Sequence, residues 1–187
     1  AAEKVTLARA VGWYGANFHL AFAPGSRAAY SGFAGYDVLA RIAELVTGMP
    51  FDTYLKAAFF EPLGMPDTTF APAAEQYARL SPVHKRVHAE VNFRGEVFRG
   101  LPPTYAAAGA ALVSSLPDLV RFFRMLAHGG ELDGVRVLRP ESVKSLIAPQ
   151  LPADLPGLLP GESNAFGCFT VVGTHRLPRG SVYTHGA

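Results

Sequence analysis

Apolar residues recur at helical spacing through the first two thirds of the chain. From Gly35 to Thr47 they follow the i, i+4, i+7 pattern of an amphipathic helix, and Gly48 is the expected stop. Pro50 can open a second helix, which carries its own apolar stripe and ends before Pro62. The pattern predicts two consecutive helices joined by a short break.

A capping sequence predicts a third amphipathic helix. Ser115-Leu116-Pro117-Asp118 is a capping box with proline in the first turn, and Gly129-Gly130 marks the end of the apolar pattern. The matching periodicity of the three helices predicts that they pack into one core, in which Ile42, Leu55 and Phe123 are buried. Two shorter helices are predicted over residues 1–11 and from Pro140 to Pro149.

Strand signals are concentrated towards the end of the chain. Residues 166–172 and 181–185 predict two strands, and Asp133-Gly134 predicts a tight turn. An earlier hairpin is predicted from residues 83–91 and 96–99, which flank Asn92-Phe93-Arg94-Gly95. This order favours an α+β fold over a parallel βαβ design. We interpret 1–187 as a single partial domain, with a helix-rich part (1–148), a proline-rich loop (149–165) and β-strands (166–187).

Composition excludes several classes of partner. Among the 187 residues 49% are hydrophobic, enough to form a core, and the net charge is only +2. Basic residues form no cluster longer than Lys85-Arg86, so no nucleic acid is expected as a partner. No run approaches the ~18 apolar residues of a membrane span. The single cysteine, Cys168, excludes an internal disulfide and is interpreted as a buried strand residue, and the compartment stays unassigned.

Tyr30 is the strongest candidate for chemistry. The turn at Pro24-Gly25 leads to the pair Tyr30-Ser31, and an amphipathic helix begins shortly afterwards. A phenol on a short loop between a turn and a helix is exposed and yet held by the scaffold. Tyr30 is therefore a candidate proton-transfer group. Ser31, considered by itself, is interpreted as a residue that caps the turn.

Other motifs favour ordinary structural interpretations. Thr53-Tyr54-Leu55-Lys56 imitates Ser-x-x-Lys, but Thr53 and Lys56 lie opposite the apolar stripe and are predicted to face solvent. Ser163 imitates the centre of a Gly-x-Ser-x-Gly elbow, but a proline-rich loop precedes it and a strand follows, so a loop serine is predicted. His84 and His88 lack a third ligand, so no metal is expected. The sequence has no glycine-rich phosphate loop, so no cofactor is expected either.

Six segments in the same order resemble the serine β-lactamase and penicillin-binding-protein-like hydrolases, in the class C and esterase branch. In our judgement the most diagnostic is Phe60-Glu61-Pro62-Leu63-Gly64-Met65-Pro66-Asp67-Thr68, which is similar to the family string F-x-P-L-G-M-x-D-T. The resemblance spans essentially the whole chain and implies a β-lactamase/transpeptidase-like α+β fold. The other segments are Leu20–Gly25, Tyr30–Gly32, Gly35–Gly48, Ala106–Gly130 and Tyr183–Ala187.

The resemblance also implies roles for individual residues. In this family a serine attacks a carbonyl, and a lysine and the loop tyrosine manage its proton. Tyr30 would be the general base or proton relay, and His185 would contact the substrate from the third catalytic strand. Ser31, Gly32 and Gly186 would line the substrate, a small-molecule ester or amide. Tyr30 and His185 are thus expected to line one cleft.

Departures from the family pattern narrow the expected activity. No Ser-x-x-Lys occurs in the 187 residues, so the nucleophile is expected before residue 1, and the chain alone is expected to be inactive. The missing N-terminal part would then be its partner. Gly32 stands where the family pattern has an asparagine, and His185 stands where it has a lysine. Both differences favour carboxylic esters as substrates over β-lactams or D-alanyl-D-alanine peptides. A β-lactamase or D-alanyl-D-alanine peptidase, and a non-catalytic binding module of the same fold, remain as alternatives.

Overall fold

The chain has the α+β composition that the sequence predicts, with helices and small antiparallel sheets. A computed structural model describes residues 5–27, 29, 34–81, 84–87, 90–93, 105–148, 150–152, 171–177 and 180–184. The helices are α1 (Leu7–Asn17), α2 (Ala34–Thr47), α3 (Phe51–Leu55), α4 (Ala74–Arg79), α5 (Leu116–Ala127) and α6 (Pro140–Ile147). The strands are β1 (His84–Val87), β2 (Glu90–Phe93), β3 (Glu131–Leu132), β4 (Val135–Arg136), β5 (Val171–Leu177) and β6 (Gly180–Thr184).

The first helix lies further along the chain than expected. Thr6 caps α1, because its Oγ1 accepts a hydrogen bond from the backbone N–H of Arg9 at 3.2 Å. The helix then continues to Asn17, whose amide donates to the carbonyl of Trp13 at 2.8 Å. The prediction of a helix over residues 1–11 is therefore wrong in its bounds, since the cap at Thr6 decides where it begins.

The two central helices form as predicted. Gly48 ends α2 in the left-handed region, at φ 69°, and its N–H donates to the carbonyl of Glu44 at 2.9 Å. Glu44 also accepts a hydrogen bond from the backbone N–H of Phe51 at 3.1 Å, which ties the end of α2 to the start of α3. α3 continues directly into a π-helical turn, Lys56–Phe60.

α5 and the hairpin after it also follow the prediction. Ser115 accepts a hydrogen bond from the N–H of Asp118 at 3.4 Å, and Gly129 and Gly130 end the helix at φ 66° and 96°. Strands β3 and β4 then pair antiparallel around Asp133 and Gly134, both at positive φ. Such a two-residue turn matches the twist of a hairpin.

The earlier hairpin has a different register from the one predicted. β1 pairs antiparallel with β2, His84 opposite Phe93 and Lys85 opposite Asn92. Asn92 and Phe93 therefore lie in a strand, and the prediction that they form the turn is wrong. An Asn-x-x-Gly sequence permits a turn but does not force one, because pairing with the partner strand can override it.

Two antiparallel strands form near the end of the chain, but the first runs to Leu177, so the prediction that it ends at residue 172 is wrong. β5 pairs antiparallel with β6, with an irregularity in the register between Val172 and Arg176. Residues 166–170 and 185, which the prediction included, lie outside the described residues, as does most of the loop 149–165.

The described contacts separate into two compact units. One consists of residues 1–18 and 32–120, and the other of residues 19–31 and 121–187. The buried apolar residues of the first unit are Leu7, Ala40, Phe60, Leu63, Met65 and Phe70; those of the second are Met125, Leu132 and Val143. The interpretation of 1–187 as a single partial domain stays a prediction.

The expectation that Ile42, Leu55 and Phe123 are all buried is wrong for Ile42 and Phe123, while Leu55 is half-buried. Ile42 and Phe123 are each 50% exposed, and Val46 is 80% exposed. Periodicity predicts that one helix face is apolar, but burial also requires a surface that covers that face. By contrast, Thr53 and Lys56 are exposed as predicted. Within the described residues, no helix is both long and apolar enough to cross a membrane.

Candidate functional site

The candidate site residues from the sequence lie outside the part that the structure describes. These residues are Tyr30, Ser31, Gly32, His185 and Gly186. Their roles, and the expectation that Tyr30 and His185 line one cleft, therefore stay predictions. The structure does describe the element that follows one candidate and the element that precedes the other: α2 begins at Ala34, and β6 ends at Thr184.

Three further candidates also fall outside the described residues: Ser163, Cys168 and His88. Their interpretations as a loop serine, a buried strand cysteine and a histidine without a metal likewise stay predictions. Within the described ranges, no three His, Cys, Asp or Glu side chains are grouped so that they could hold a metal ion.

A buried carboxylate joins three separate segments of the first unit. Asp37, in the first turn of α2, is only 1% exposed. Its Oδ2 accepts hydrogen bonds from the hydroxyls of Tyr14 at 3.0 Å and Tyr105 at 2.9 Å. Its Oδ1 accepts a third from the backbone N–H of Ala108 at 2.8 Å. We call these four residues the Asp37 network.

The hydrogen bonds of the Asp37 network stabilise a carboxylate that would otherwise be costly to bury. A carboxylate removed from water destabilises the fold unless donors replace its hydration, and here three donors do so. Burial, together with the hydrogen bonds to Tyr14 and Asp37, raises the pKa of Tyr105 well above its usual range. The Tyr105 phenol is thus held in its neutral, proton-donating form.

The sequence pattern did not reveal this network. Asp37 belongs to the polar face of α2 in the helical pattern, which predicts contact with solvent. Tyr14 and Tyr105 lie 23 and 68 positions away from it. No local signal connects residues at such separations, so only the tertiary structure could bring them together.

A second buried carboxylate organises the segment that resembles the family most closely. Asp118, which is 3% exposed, accepts hydrogen bonds at 2.8 Å from the backbone N–H of Asp67 and from the hydroxyl of Thr68. The hydroxyl oxygens of Thr68 and Ser114 also lie 2.8 Å apart. These contacts attach the end of Phe60–Thr68 to the first turn of α5.

An ion pair extends this second cluster to the surface. Arg79 donates two hydrogen bonds to the carboxylate of Asp67, at 2.8 and 2.7 Å. These bonds hold the pKa of Asp67 below its ordinary value. This geometry does not indicate a substrate-binding site, because the charged groups of Asp67 and Arg79 already bind each other.

An open cavity of about 670 Å³ borders the same segment. Its wall combines apolar Phe60, Met65 and Phe70 with the exposed ion pair of Lys56 and Glu61, whose charged atoms are 3.7 Å apart. None of the residues that line it is a candidate site residue from the sequence.

Comparison with known families identifies the class of protein. A model of the Beta-lactamase family matches residues 10–186, nearly the whole chain. The chain belongs to the β-lactamase family. The expected family and the β-lactamase/transpeptidase-like fold are both confirmed. The family comprises hydrolases of the serine β-lactamase and penicillin-binding-protein fold.

Two curated relatives of this β-lactamase-family chain cover different shares of it. Protein Rv1367c of Mycobacterium tuberculosis is 35% identical over 132 residues, which are 69% of this chain and 32% of that protein. The D-alanyl-D-alanine-carboxypeptidase/endopeptidase AmpH of Escherichia coli is 37% identical over 106 residues, 54% of this chain and 24% of that protein. The chain thus spans about a third or less of the length of these relatives.

Solved structures support the family fold. The D-amino acid amidase of Ochrobactrum anthropi covers 99% of this chain with a TM-score of 0.66, and this chain covers 50% of the amidase. At 23% sequence identity, the likeness concerns the fold alone.

Proposed function

We propose that the chain is part of a serine hydrolase that cleaves carboxylic esters through an acyl-enzyme. The observation that carries the proposal is the family match over residues 10–186, a range that contains both Tyr30 and His185. The family includes esterases, D-amino acid amidases and D-alanyl-D-alanine peptidases, so acyl transfer is the chemistry that its members share.

In the proposed reaction a serine outside residues 1–187 attacks the ester carbonyl. Tyr30 takes the proton of the serine hydroxyl and returns a proton to the alcohol that leaves. Water then hydrolyses the acyl-serine bond and releases the carboxylic acid, so that the enzyme is regenerated. His185 and Gly186 hold the substrate along the terminal strand, and Ser31 and Gly32 line it on the loop of Tyr30.

The preference for esters rests on two residues. Gly32 stands where an asparagine would hold the acyl side chain of a β-lactam. His185 stands where a lysine ammonium group would bind a substrate carboxylate, and a histidine side chain does not supply that ammonium group. Both departures weaken recognition of β-lactams and of D-alanyl peptides more than recognition of neutral esters.

A second candidate function is supported by the name of one relative. AmpH is named as a D-alanyl-D-alanine carboxypeptidase and endopeptidase and is 37% identical over the matched region. Cleavage of D-alanyl peptides uses the same acyl-serine chemistry, so only the substrate preference separates the two candidates.

Kinetics with three substrates test the proposal on the intact protein. We expect an aryl acetate to be turned over much faster than nitrocefin or a D-alanyl-D-alanine peptide. A fluorophosphonate probe should label one serine that lies outside residues 1–187. Preferred cleavage of the peptide would select the second candidate, and labelling of Ser163 would overturn the assignment of the nucleophile.

Substitution of Tyr30 tests its role in proton transfer. We expect Tyr30→Phe to lower kcat/KM for the aryl ester by a factor on the order of 10²–10⁴, because the phenyl ring cannot carry the proton. Tyr54→Phe, at a half-buried tyrosine in α3, is the matched control and should leave turnover unchanged. If Tyr30→Phe were as active as Tyr54→Phe, Tyr30 would have no part in the chemistry. If the intact protein formed no acyl-enzyme at all, the binding-module alternative would replace the proposal.

A further inference from the structure

Five aliphatic side chains of α2 are exposed in the structure. Leu39 is 64% exposed and Val46 is 80% exposed, with Ile42 between them along the helix. Because successive residues of a helix are rotated by about 100°, these three share one face. Val38 and Leu45, which are also exposed, lie along one edge of it. We call these five residues the aliphatic face of α2. A continuous apolar surface in water is unfavourable, so the face needs an explanation.

The opposite side of α2 holds its charged residues, and this is the side that the fold covers. Asp37 is buried in the Asp37 network. Arg41 donates to Glu44 at 2.8 Å, and Glu44 also accepts from the backbone N–H of Phe51 at 3.1 Å. Within α2, which the structure describes in full, none of the three charged residues is exposed. The usual arrangement of a helix at a protein surface is thus reversed.

Hydrogen bonds at both ends of α2 fix its rotation about the helix axis. Asp37 and Glu44 are separated by about two turns and lie on the same side of the helix. Tyr14 and Tyr105 hold the first carboxylate, and the backbone of α3 holds the second. A rotation that turned Leu39 inward would break these bonds and strand the carboxylate of Asp37 without donors. The aliphatic face can therefore be buried only by a surface that packs onto it.

The composition of the aliphatic face is that of a domain interior. Leucine, isoleucine and valine are among the residues most often fully buried inside a domain. Interfaces between separate proteins are instead enriched in aromatic residues, methionine and arginine, and the aliphatic face has none of these. An apolar stripe that covers at least about 100° of a helix is typical of a helix that faces a core. This favours packing within one polypeptide over docking of a second protein.

The fold comparison indicates where such a surface can come from. The amidase of Ochrobactrum anthropi covers 99% of this chain, but this chain covers only 50% of the amidase. Half of a structure with the same fold therefore has no counterpart in residues 1–187. The chain likewise spans only 32% of Protein Rv1367c.

We propose that the aliphatic face of α2 is an interior packing surface of the intact protein, covered by an apolar segment of the same polypeptide that lies outside residues 1–187. α2 is then a central helix with two packed sides. Its charged side contacts α1 and the segment that contains Tyr105, and its aliphatic side contacts the additional segment. The proposal concerns how the fold is completed and does not rest on the proposed ester hydrolysis.

Substitution by glutamine in the intact protein tests whether the face is buried. Glutamine has nearly the helix propensity of leucine, so Leu39→Gln would be almost neutral on a face that remained in water. We expect it to lower the urea midpoint of unfolding by about 1 M, because a buried leucine is lost and an amide is buried without a partner. The matched control is Lys144→Gln at an exposed position of α6, which should shift the midpoint by less than about 0.3 M.

A milder variant keeps this test decisive if Leu39→Gln does not fold. Val46→Thr keeps the shape of the side chain and adds only a hydroxyl, so we expect the urea midpoint to fall by about 0.5 M. A midpoint for Leu39→Gln or Val46→Thr within the range of Lys144→Gln would overturn the proposal.

Photocrosslinking identifies the segment that covers the face. A diazirine-bearing amino acid is placed at position 39 of the intact protein, which is irradiated and digested, and the linked peptides are sequenced by mass spectrometry. We expect position 39 to be joined to a peptide of the same molecule from outside residues 1–187. The same amino acid at position 144 is the control and should give no such product.

Every other result of the crosslinking would overturn the proposal. A covalent dimer would show that a second copy covers the face, and a link to a peptide within residues 1–187 would show that the chain covers it itself. No crosslink at position 39 would show that the face remains in water. Neither experiment measures turnover, so failure of the proposed ester hydrolysis would leave both results interpretable.

Discussion

The carboxylate of Asp118 accepts a hydrogen bond of 2.8 Å from the hydroxyl of Thr68, a residue 50 positions earlier in the chain. Both side chains are buried, and the same carboxylate oxygen also accepts from the backbone N–H of Asp67. A residue in the first turn of α5 thus holds the end of the segment Phe60–Thr68. Through this hydrogen bond, the segment that resembles the family most closely is attached to the first turn of α5.

Removal of the Thr68 hydroxyl should measure the strength of this link. We expect Thr68→Val to lower the free energy of unfolding by about 1–3 kcal/mol, because the buried carboxylate of Asp118 loses a hydrogen-bond donor. Urea unfolding of the intact protein gives the value. Thr68→Ser should recover most of it, whereas Thr53→Val at an exposed site should cost less than about 0.5 kcal/mol. Equal losses at positions 68 and 53 would contradict this interpretation.

The ion pair of Asp67 and Arg79 should contribute a small, pH-dependent stability. The hydrogen bonds from Arg79 lower the pKa of Asp67 below its ordinary value of 3.8, so the folded state favours the ionised form. The contribution is therefore present above pH 3.8 and is lost as the pH falls through the lowered pKa. Both groups are exposed enough for solvent to screen them, so we expect only a modest effect.

A comparison of Arg79→Met with the wild type tests the pH window. The two proteins should differ in their urea midpoints at neutral pH, and the difference should shrink as the pH falls below 3.8 and Asp67 becomes protonated. Lys56→Met, at the looser ion pair with Glu61, is the control and should produce a smaller difference at neutral pH. A difference for Arg79→Met that persists at low pH would show that the arginine acts through packing and not through charge.

Tyr105 should make the protein sensitive to alkaline pH. The pKa of Tyr105 is raised above its ordinary value of 10, chiefly by burial and then by its bonds to Tyr14 and Asp37. Its stabilising contribution is complete below pH 10 and is lost as the pH rises towards the raised pKa, because only the unfolded chain releases the proton easily.

Substitution of Tyr105 should flatten this pH profile. Tyr105→Phe should be less stable than the wild type at pH 8 but lose less further stability by about pH 11, because it has no phenol at position 105 to ionise. Unfolding midpoints measured across this range provide the test. Parallel curves for the wild type and Tyr105→Phe would mean that the phenol is not held neutral by the fold.

Gly130 should tolerate no side chain. It adopts φ 96°, and a Cβ there would lie 2.2 Å from the carbonyl oxygen of Leu138. The segment that contains Leu138 also donates two backbone hydrogen bonds to the carbonyl of Gly130, so this segment cannot move away freely. We expect Gly130→Ala to cost at least about 3 kcal/mol of unfolding free energy, as backbone must shift.

Gly129 is the natural control for Gly130. It also lies at positive φ, but a Cβ there would meet no atom within 4 Å. Gly129→Ala should therefore cost only the backbone strain, about 1–2 kcal/mol. Similar losses for Gly129→Ala and Gly130→Ala in thermal unfolding would show that the contact with Leu138 is not limiting.

Features that depend on near neighbours were predictable from the sequence. The bounds of α2, the start of α5 and the turn at Asp133-Gly134 depend on capping residues, on helical periodicity and on glycine conformation. The family was also predictable, because six short segments in a fixed order carry more information than any one motif. The candidate residues Tyr30 and His185 come from this resemblance and lie outside the described residues.

Features that depend on distant partners were decided by the tertiary structure. The helical pattern placed Asp37 on a polar face that should meet solvent, yet it is buried against Tyr14 and Tyr105. The same pattern predicted that Ile42 and Phe123 would be buried, yet each is half exposed. Periodicity determines which residues share a face of a helix; what that face meets depends on segments far away in the chain, and a local pattern carries no information about them.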